Sequence, residues 1–316
     1  MTEQYDVTES ESTLNDAHCH FFSTGFFTTL AADPLAARPD STGNPAIDLP
    51  MVLGWEPPGT DEALADRWVT ELNRQGVTRA ALMSSVPDDE ISVATAVKRH
   101  PNRFVGMFMV DPSTGDGTAR ATQAFNNKQL HCACLFPAMH GYRLDDDCVV
   151  DIFEAAAAHS GSIFVHCGVL SVGVRKKLGL VSRFDIRLGD PLALVPVASA
   201  FPSVPVLIPH FGAGFFRELL MAADLCPSFH IDTSSSNSWM KYIPKLELTA
   251  VFRQVLDILG PTRILFGSDS SFFPRGWQRQ LLIDQLAIMN ELGISTTDRK
   301  AIFSDNFDRF FGSGCS

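Results

Sequence analysis

The chain has 316 residues, 45% of them hydrophobic, and a formal net charge of -11. That length and apolar content suit one large α/β barrel or two smaller domains, each with a sizeable core, and argue against a disordered chain. The acidity argues against nucleic acid or an anionic membrane as the main partner, because phosphate-rich surfaces repel an acidic protein.

No uninterrupted apolar run approaches 20 residues, and the N-terminus lacks the basic, apolar, small-residue order of a secretory signal. The sequence therefore predicts a cytoplasmic protein with no membrane span. Seven cysteines, Cys19, Cys132, Cys134, Cys148, Cys167, Cys226 and Cys315, are scattered without CxxC pairing. They fit reduced core thiols better than a disulfide framework.

In chain order, residues 1–13 are polar and acidic and read as a flexible leader, leaving 14–316 for a single domain. Leu14 to Phe22 (LNDAHCHFF) reads as the first strand. Strand alternation sends His18 and His20 to one side and Cys19 to the other, so two imidazoles face one point. That is the start of a transition-metal site suited to zinc, iron or nickel, and it needs further donors. Ser23 to Thr60 has no sustained period, and a connection that long predicts a lid or binding loop with Phe21, Phe22, Phe26, Phe27 and Trp55 as its apolar face.

From Asp61 onward helices and strands alternate. Asp61 to Gln75 is a helix with acids in its first turn, ended by Gly76. Strands follow at Thr78 to Val86, Phe104 to Val110, Leu130 to Phe136, Ser162 to Cys167, Val204 to Phe211, Ser228 to Thr233 and Arg263 to Ser268, separated by helical patterns. Short apolar strands alternating with helices imply parallel pairing, and eight such units predict an α/β fold, a (β/α)8 TIM barrel with a long lid-like insertion after strand one. No GxGxxG follows a strand and no P-loop motif is present, which removes the usual support for a dinucleotide or nucleotide fold.

In such a barrel the C-terminal ends of the strands share one mouth, where catalysis is expected. The residues there are His18 and His20 on strand one, His166 on strand five, His210 on strand six and Asp269 on strand eight. Alternation puts His166 on a face with Phe164, His210 with Ile208, and Asp269 with Leu265. Asp16 is predicted to point inward below His18, either orienting an imidazole or standing as a plain buried carboxylate. A single histidine on an apolar strand is ordinarily a core residue; four at strand ends with an aspartate point to a metal. Among the other histidines, only His140, after strand four, is a candidate for function.

The ordered motifs DAHCH, VHCG, PHFGAG and LFGSD resemble the amidohydrolase superfamily, in the branch that includes aminocarboxymuconate semialdehyde decarboxylase. The resemblance runs from Asp16 to about Phe311. It implies that His18, His20, His166 and Asp269 bind one divalent metal, zinc first and manganese second, and that His210 and Asp269 are catalytic. Relatives with two metals use a carboxylated lysine near the end of strand four, where this chain reads CACLFPAMHG without one. A mononuclear site follows, with Cys134 or Phe136 in the vacant place. The implied activity is hydrolysis of a small carbonyl compound by an activated water, with non-oxidative decarboxylation of an aromatic or muconate-type acid as the alternative.

Substrate contacts are expected from the loop after strand five, where Arg175, Lys176, Lys177, Arg183 and Arg187 stand out in an acidic protein. Arginine pairs bidentately with carboxylates, so a carboxylate-bearing substrate is expected at Arg175, Arg183 and Arg187, with Phe22 and Trp239 beside it. Arg143, Arg217, Ser234, Ser235 and Asn237 also border the expected mouth. A small-molecule substrate and a possible homodimer complete the expected partners.

Overall fold

The computed structural model describes residues 13–33, 42–234 and 237–312. Ser235, Cys315 and the leader up to residue 12 lie outside them. Eight strands, β1 (Asn15–Phe21), β2 (Arg79–Ser84), β3 (Phe104–Met109), β4 (Leu130–Leu135), β5 (Ser162–Val165), β6 (Val206–Ile208), β7 (Phe229–Asp232) and β8 (Ile264–Leu265), pair in parallel in sequence order. The ring closes through β8 and its continuation. Ala17 N donates to Phe266 O at 2.8 Å, Asp269 N to His18 O at 2.8 Å and His20 N to Ser270 O at 2.7 Å. Residues after Leu265 have left β7 but still follow β1, which is why the regular strand is shorter than the apolar run predicts. The chain is a (β/α)8 barrel.

Alternate strand residues fall into two apolar clusters. Val105, Met107 and Met109 of β3, with Cys132 and Cys134 of β4, face the interior. Phe104 and Phe108, with Ala133 and Leu135, face the helices. Period-two burial on both faces is what parallel strands inside a helical ring require. Phe307, Phe310 and Phe311 of the C-terminal helix join the interior cluster and fill the end opposite the mouth.

The described residues of the insertion after β1 are partly helical. They contain helices α1 (Thr24–Ala31) and α2 (Pro45–Leu53), each N-capped by a side chain, Ser23 and Asn44. Their apolar residues do not keep a long helical period because both are short and Pro50 interrupts the second. They pack with Trp55 against Val174, Leu178 and Leu180 of the loop after β5 in a satellite cluster.

Helix α3 (Asp61–Gln75) forms where predicted. Thr60 caps Ala63 N, Asp61 and Glu62 stand in the first turn, and Gly76 ends it at φ 74°. Leu64, Trp68 and Leu72 on one face bury it against the barrel. No helix among the described residues is long and apolar enough to cross a membrane.

Candidate metal centre and active-site cavity

Strand β1 delivers His18 and His20 through an irregularity, a register shift against β2 between Asp16 and Cys19. Ala17 faces the interior and Cys19 the helices, as Cys167 does. The His18 and His20 rings lie 5.2 Å apart at the mouth. Simple alternation therefore fails for Asp16, which does not orient an imidazole from below. Its carboxylate accepts from His18 N at 3.0 Å, Ser268 N at 2.9 Å, Ser268 Oγ at 2.5 Å and Trp277 Nε1 at 2.6 Å, tying β1 to the chain after β8. Burial raises its pKa against those hydrogen bonds.

The carboxylate that orients an imidazole is Asp232, at the end of β7. Its Oδ2 lies 2.9 Å from His18 Nδ1, and its Oδ1 accepts from His210 N at 3.1 Å. Both residues are buried. Burial opposes charge on each, but the pair outweighs it, raising the His18 pKa and lowering that of Asp232. Applying to β7 the strand-end test that picks out the histidines would have found Asp232 in the run SFHIDT. Ser234 adds a link, donating to Asp232 Oδ1 and lying 2.8 Å from His210 Nδ1. A carboxylate only accepts, so the Ser234 proton goes to Asp232 and its oxygen accepts from His210 Nδ1–H, leaving His210 Nε2 as an acceptor.

His210 does not share a face with Ile208, which packs against the helices while Leu207 points inward. After Pro209 the chain turns, with φ 56° at His210 and 53° at Phe211, and this left-handed bend brings the ring back to the mouth. Asp269 likewise has φ 56°. Such backbone settings in non-glycine residues cluster at functional sites. Gly168, after His166, has φ 77°, and a Cβ there would lie 2.3 Å from Gly212 O, so only glycine lets the His166 and His210 segments pass.

His18 Nε2 lies 3.9 Å, and His20 Nε2 3.1 Å, from Asp269 Oδ1. Burial pushes the Asp269 carboxyl up, yet the His20 hydrogen bond and the charges of His20, His18 and His210 hold it well below the usual carboxylate range. These three donors form one convergent group; His18, His210 and Asp232 form another, accounted for by their own hydrogen bonds. His166 stands outside both groups. It is buried, its ring 5.5 Å from that of His210 and stacked 5.5 Å from Phe136. Burial first, then the neighbouring His210 and His18, drive its pKa down to about 3, so it is a neutral imidazole.

His18, His20, His166, His210 and Asp269 floor a cavity of about 370 Å³. Phe22, Phe26, Trp55, Phe136 and Phe272 wall it, and Lys177 and Arg275 stand at its rim. Phe22 therefore lies where the sequence places it. Arg175 pairs with Asp33 at 3.1 Å and Arg187 with Asp185 at 2.6 Å, and these two, with the exposed Arg183, do not line the cavity. Trp239 is buried against Phe216 behind the wall. Arg143 pairs with Asp145 and Arg217 with Glu218, both exposed. Of the polar run after β7, Ser234 serves His210, and the Asn237 Oδ1 is buried without a partner. Phe136 occupies the strand-four position at the cavity, and Cys134 lies inside the barrel in neither donor group. Met139 reaches the cavity, whereas the adjacent His140 does not line it. Arg275 was missed because a lone arginine past the last strand carries no pattern.

The donor set suits a divalent cation. His18 Nε2 is buried without a hydrogen-bond partner, as is His166 Nδ1. The spacings of 3.1 and 3.9 Å bracket the edge of roughly 3.4 Å expected of a tetrahedron with bonds of about 2.1 Å. His18 held on a carboxylate through Nδ1 is the arrangement by which proteins present Nε2 to a metal.

A parallel (β/α)8 barrel whose mouth gathers four imidazoles and a carboxylate over an aromatic cavity defines a barrel enzyme. Residues 15–313 match the family model described as amidohydrolase, and the chain belongs to that family. No curated protein sequence matches it. Among solved structures it is similar to 5-carboxyvanillate decarboxylase from Sphingomonas paucimobilis, with 14% identity and a TM-score of 0.60 over 95% of this chain and 99% of that one. It is also similar to a probable 2-pyrone-4,6-dicarboxylic acid hydrolase from Acinetobacter baumannii, with 13% identity and a TM-score of 0.60 over 95% and 99%. An uncharacterised TIM-barrel protein from Bordetella bronchiseptica gives 16% identity and a TM-score of 0.64 over the same shares.

Proposed function

We propose that the chain is a mononuclear metal-dependent hydrolase acting on a small, carboxylate-bearing carbonyl compound. The observation that carries this reading is the convergence of His18 Nε2, His20 Nε2 and Asp269 Oδ1 on the cavity floor. His18, His20, His166 and Asp269 would hold the ion, zinc or manganese, which when bound supplies Lewis-acid charge there. A decarboxylase of this fold from Novosphingobium aromaticivorans is described with bound manganese.

The chain's own groups do the rest. His210, neutral through burial and protonated at Nδ1, offers Nε2 to accept a hydrogen bond that orients the attacking water. Asp269, ionised, accepts the proton and passes it to the leaving group. Asp232 keeps the His18 ring fixed while charge develops. Lys177 and Arg275 at the rim attract the substrate carboxylate, and the aromatic walls exclude water.

One observation favours a second reading. Phe22 stacks on Phe26 at 4.1 Å and 3°, and Trp55 on Phe272 at 3.9 Å and 13°, giving flat walls suited to a planar conjugated acid. Decarboxylation of such an acid would use the same proton-handling residues. Enzyme loaded with zinc or manganese and offered lactones, amides and hydroxybenzoates separates the two: acid release without carbon dioxide supports hydrolysis, and carbon dioxide release supports the lyase. No turnover of either kind counts against both.

The six described cysteines are free, five of them buried, which supports a reducing, cytoplasmic setting.

A further inference from the structure

His20 differs from His18 in how its second nitrogen is held. His18 Nδ1 rests on a buried carboxylate, whereas His20 Nδ1 lies 2.8 Å from the hydroxyl of Ser85, the residue that follows β2. Ser85 Oγ is itself 3.3 Å from Met83 O, so the hydroxyl is fixed between a ring nitrogen and a carbonyl of the neighbouring strand. His20 is also the more exposed of the two, at 19% against 1%, and packing constrains its ring less.

We infer that Ser85 is a positioning residue for His20, holding the imidazole so that Nε2 stays directed at Asp269 and the cavity floor. The inference rests on the proposed cation site. The hydroxyl gives its one proton to Met83 O and so accepts from His20 Nδ1–H, which leaves Nε2 unprotonated toward the cavity floor. It also adds no negative charge where an anionic substrate would enter, a cost that a second aspartate at this place would carry. The buried side of the site tolerates Asp232 because that carboxylate is fully buried and does not line the cavity.

The test is the affinity of the full-length protein for Mn2+, measured by equilibrium dialysis on wild type, Ser85→Ala and Ser85→Thr. Loss of an outer partner of a metal-binding histidine typically weakens binding 10- to 100-fold, so Ser85→Ala is expected to bind at least roughly 10-fold more weakly, and Ser85→Thr within about 3-fold of wild type. Nitrogen-15 spectra of the zinc-loaded wild type supply a readout that needs no variant: His20 is expected to carry a hydrogen-bonded Nδ1–H. Equal affinity of Ser85→Ala and wild type, equal loss in both variants, or an Nδ1 without a proton overturns the role of Ser85. A wild type that binds no Mn2+ overturns the cation site along with it.

Discussion

His18 Nδ1 and Asp232 Oδ2 stand 2.9 Å apart, joining the first strand to the seventh across the barrel mouth. The contact is fully buried, and Asp232 also holds the backbone of His210 and the hydroxyl of Ser234. Removing one member of such a buried pair leaves an uncompensated group. Asp232→Ala is expected to destabilise the fold by about 3 kcal/mol in urea unfolding and to weaken cation binding roughly 10-fold or more. Wild-type cation affinity in this variant would contradict the orienting role.

Asp16 makes the opposite case. Its hydrogen bonds go to Ser268, Trp277, Cys19 and the His18 backbone, none of them into the cavity. Asp16→Ala is expected to cost on the order of 3 kcal/mol, because several buried donors lose their acceptor. Activity per folded molecule should change little. Full stability with lost activity would reverse the assignment.

Asp89 ties the start of α1 to the barrel. It accepts from Ser23 Oγ at 2.5 Å and Ser92 Oγ at 3.0 Å. Burial, reinforced by the charges of Asp61 and Glu90 and opposed by the two serines, raises its pKa to about 6 from 3.8. The folded state thus binds this proton more tightly than the unfolded chain. Its contribution is fully present below pH 3.8 and is lost as pH rises through about 6. Asp89→Asn is therefore expected to gain stability relative to wild type between pH 4 and pH 8, by about 3 kcal/mol at most. A difference between the two proteins that does not vary with pH would contradict this.

At the rim, Lys177 Nζ lies 5.5 Å from the Trp55 ring and Arg275 Cζ 4.5 Å from that of Phe272. Lys177 ion-pairs with no carboxylate among the described residues. Lys177→Met and Arg275→Met are each expected to raise KM for an anionic substrate roughly 10-fold while leaving KM for a neutral analogue unchanged. Equal effects on both substrates would point to wall packing instead of charge.

The barrel was legible because its information is local: buried strands, capped helices and their alternation each leave a pattern within ten or so residues. The histidines at strand ends were legible for the same reason. What failed was alternation carried past a local irregularity, at the β1 register shift that moves Asp16 outward and at the left-handed turn that redirects His210. Substrate residues were read from charge density in one loop, yet Arg187 faces the neighbouring Asp185 and Arg175 the distant Asp33, while Lys177 reaches the cavity beside Trp55 of the insertion. Contacts between loops far apart in the chain have no signature in either loop alone.

Cation stoichiometry tests the central claim most directly. Dialysed against zinc or manganese and analysed for metal, the wild type is expected to hold one ion per chain, and the triple variant His18→Ala, His20→Ala, Asp269→Ala none. A wild type that retains no ion, or a folded triple variant that still holds one, would contradict the account.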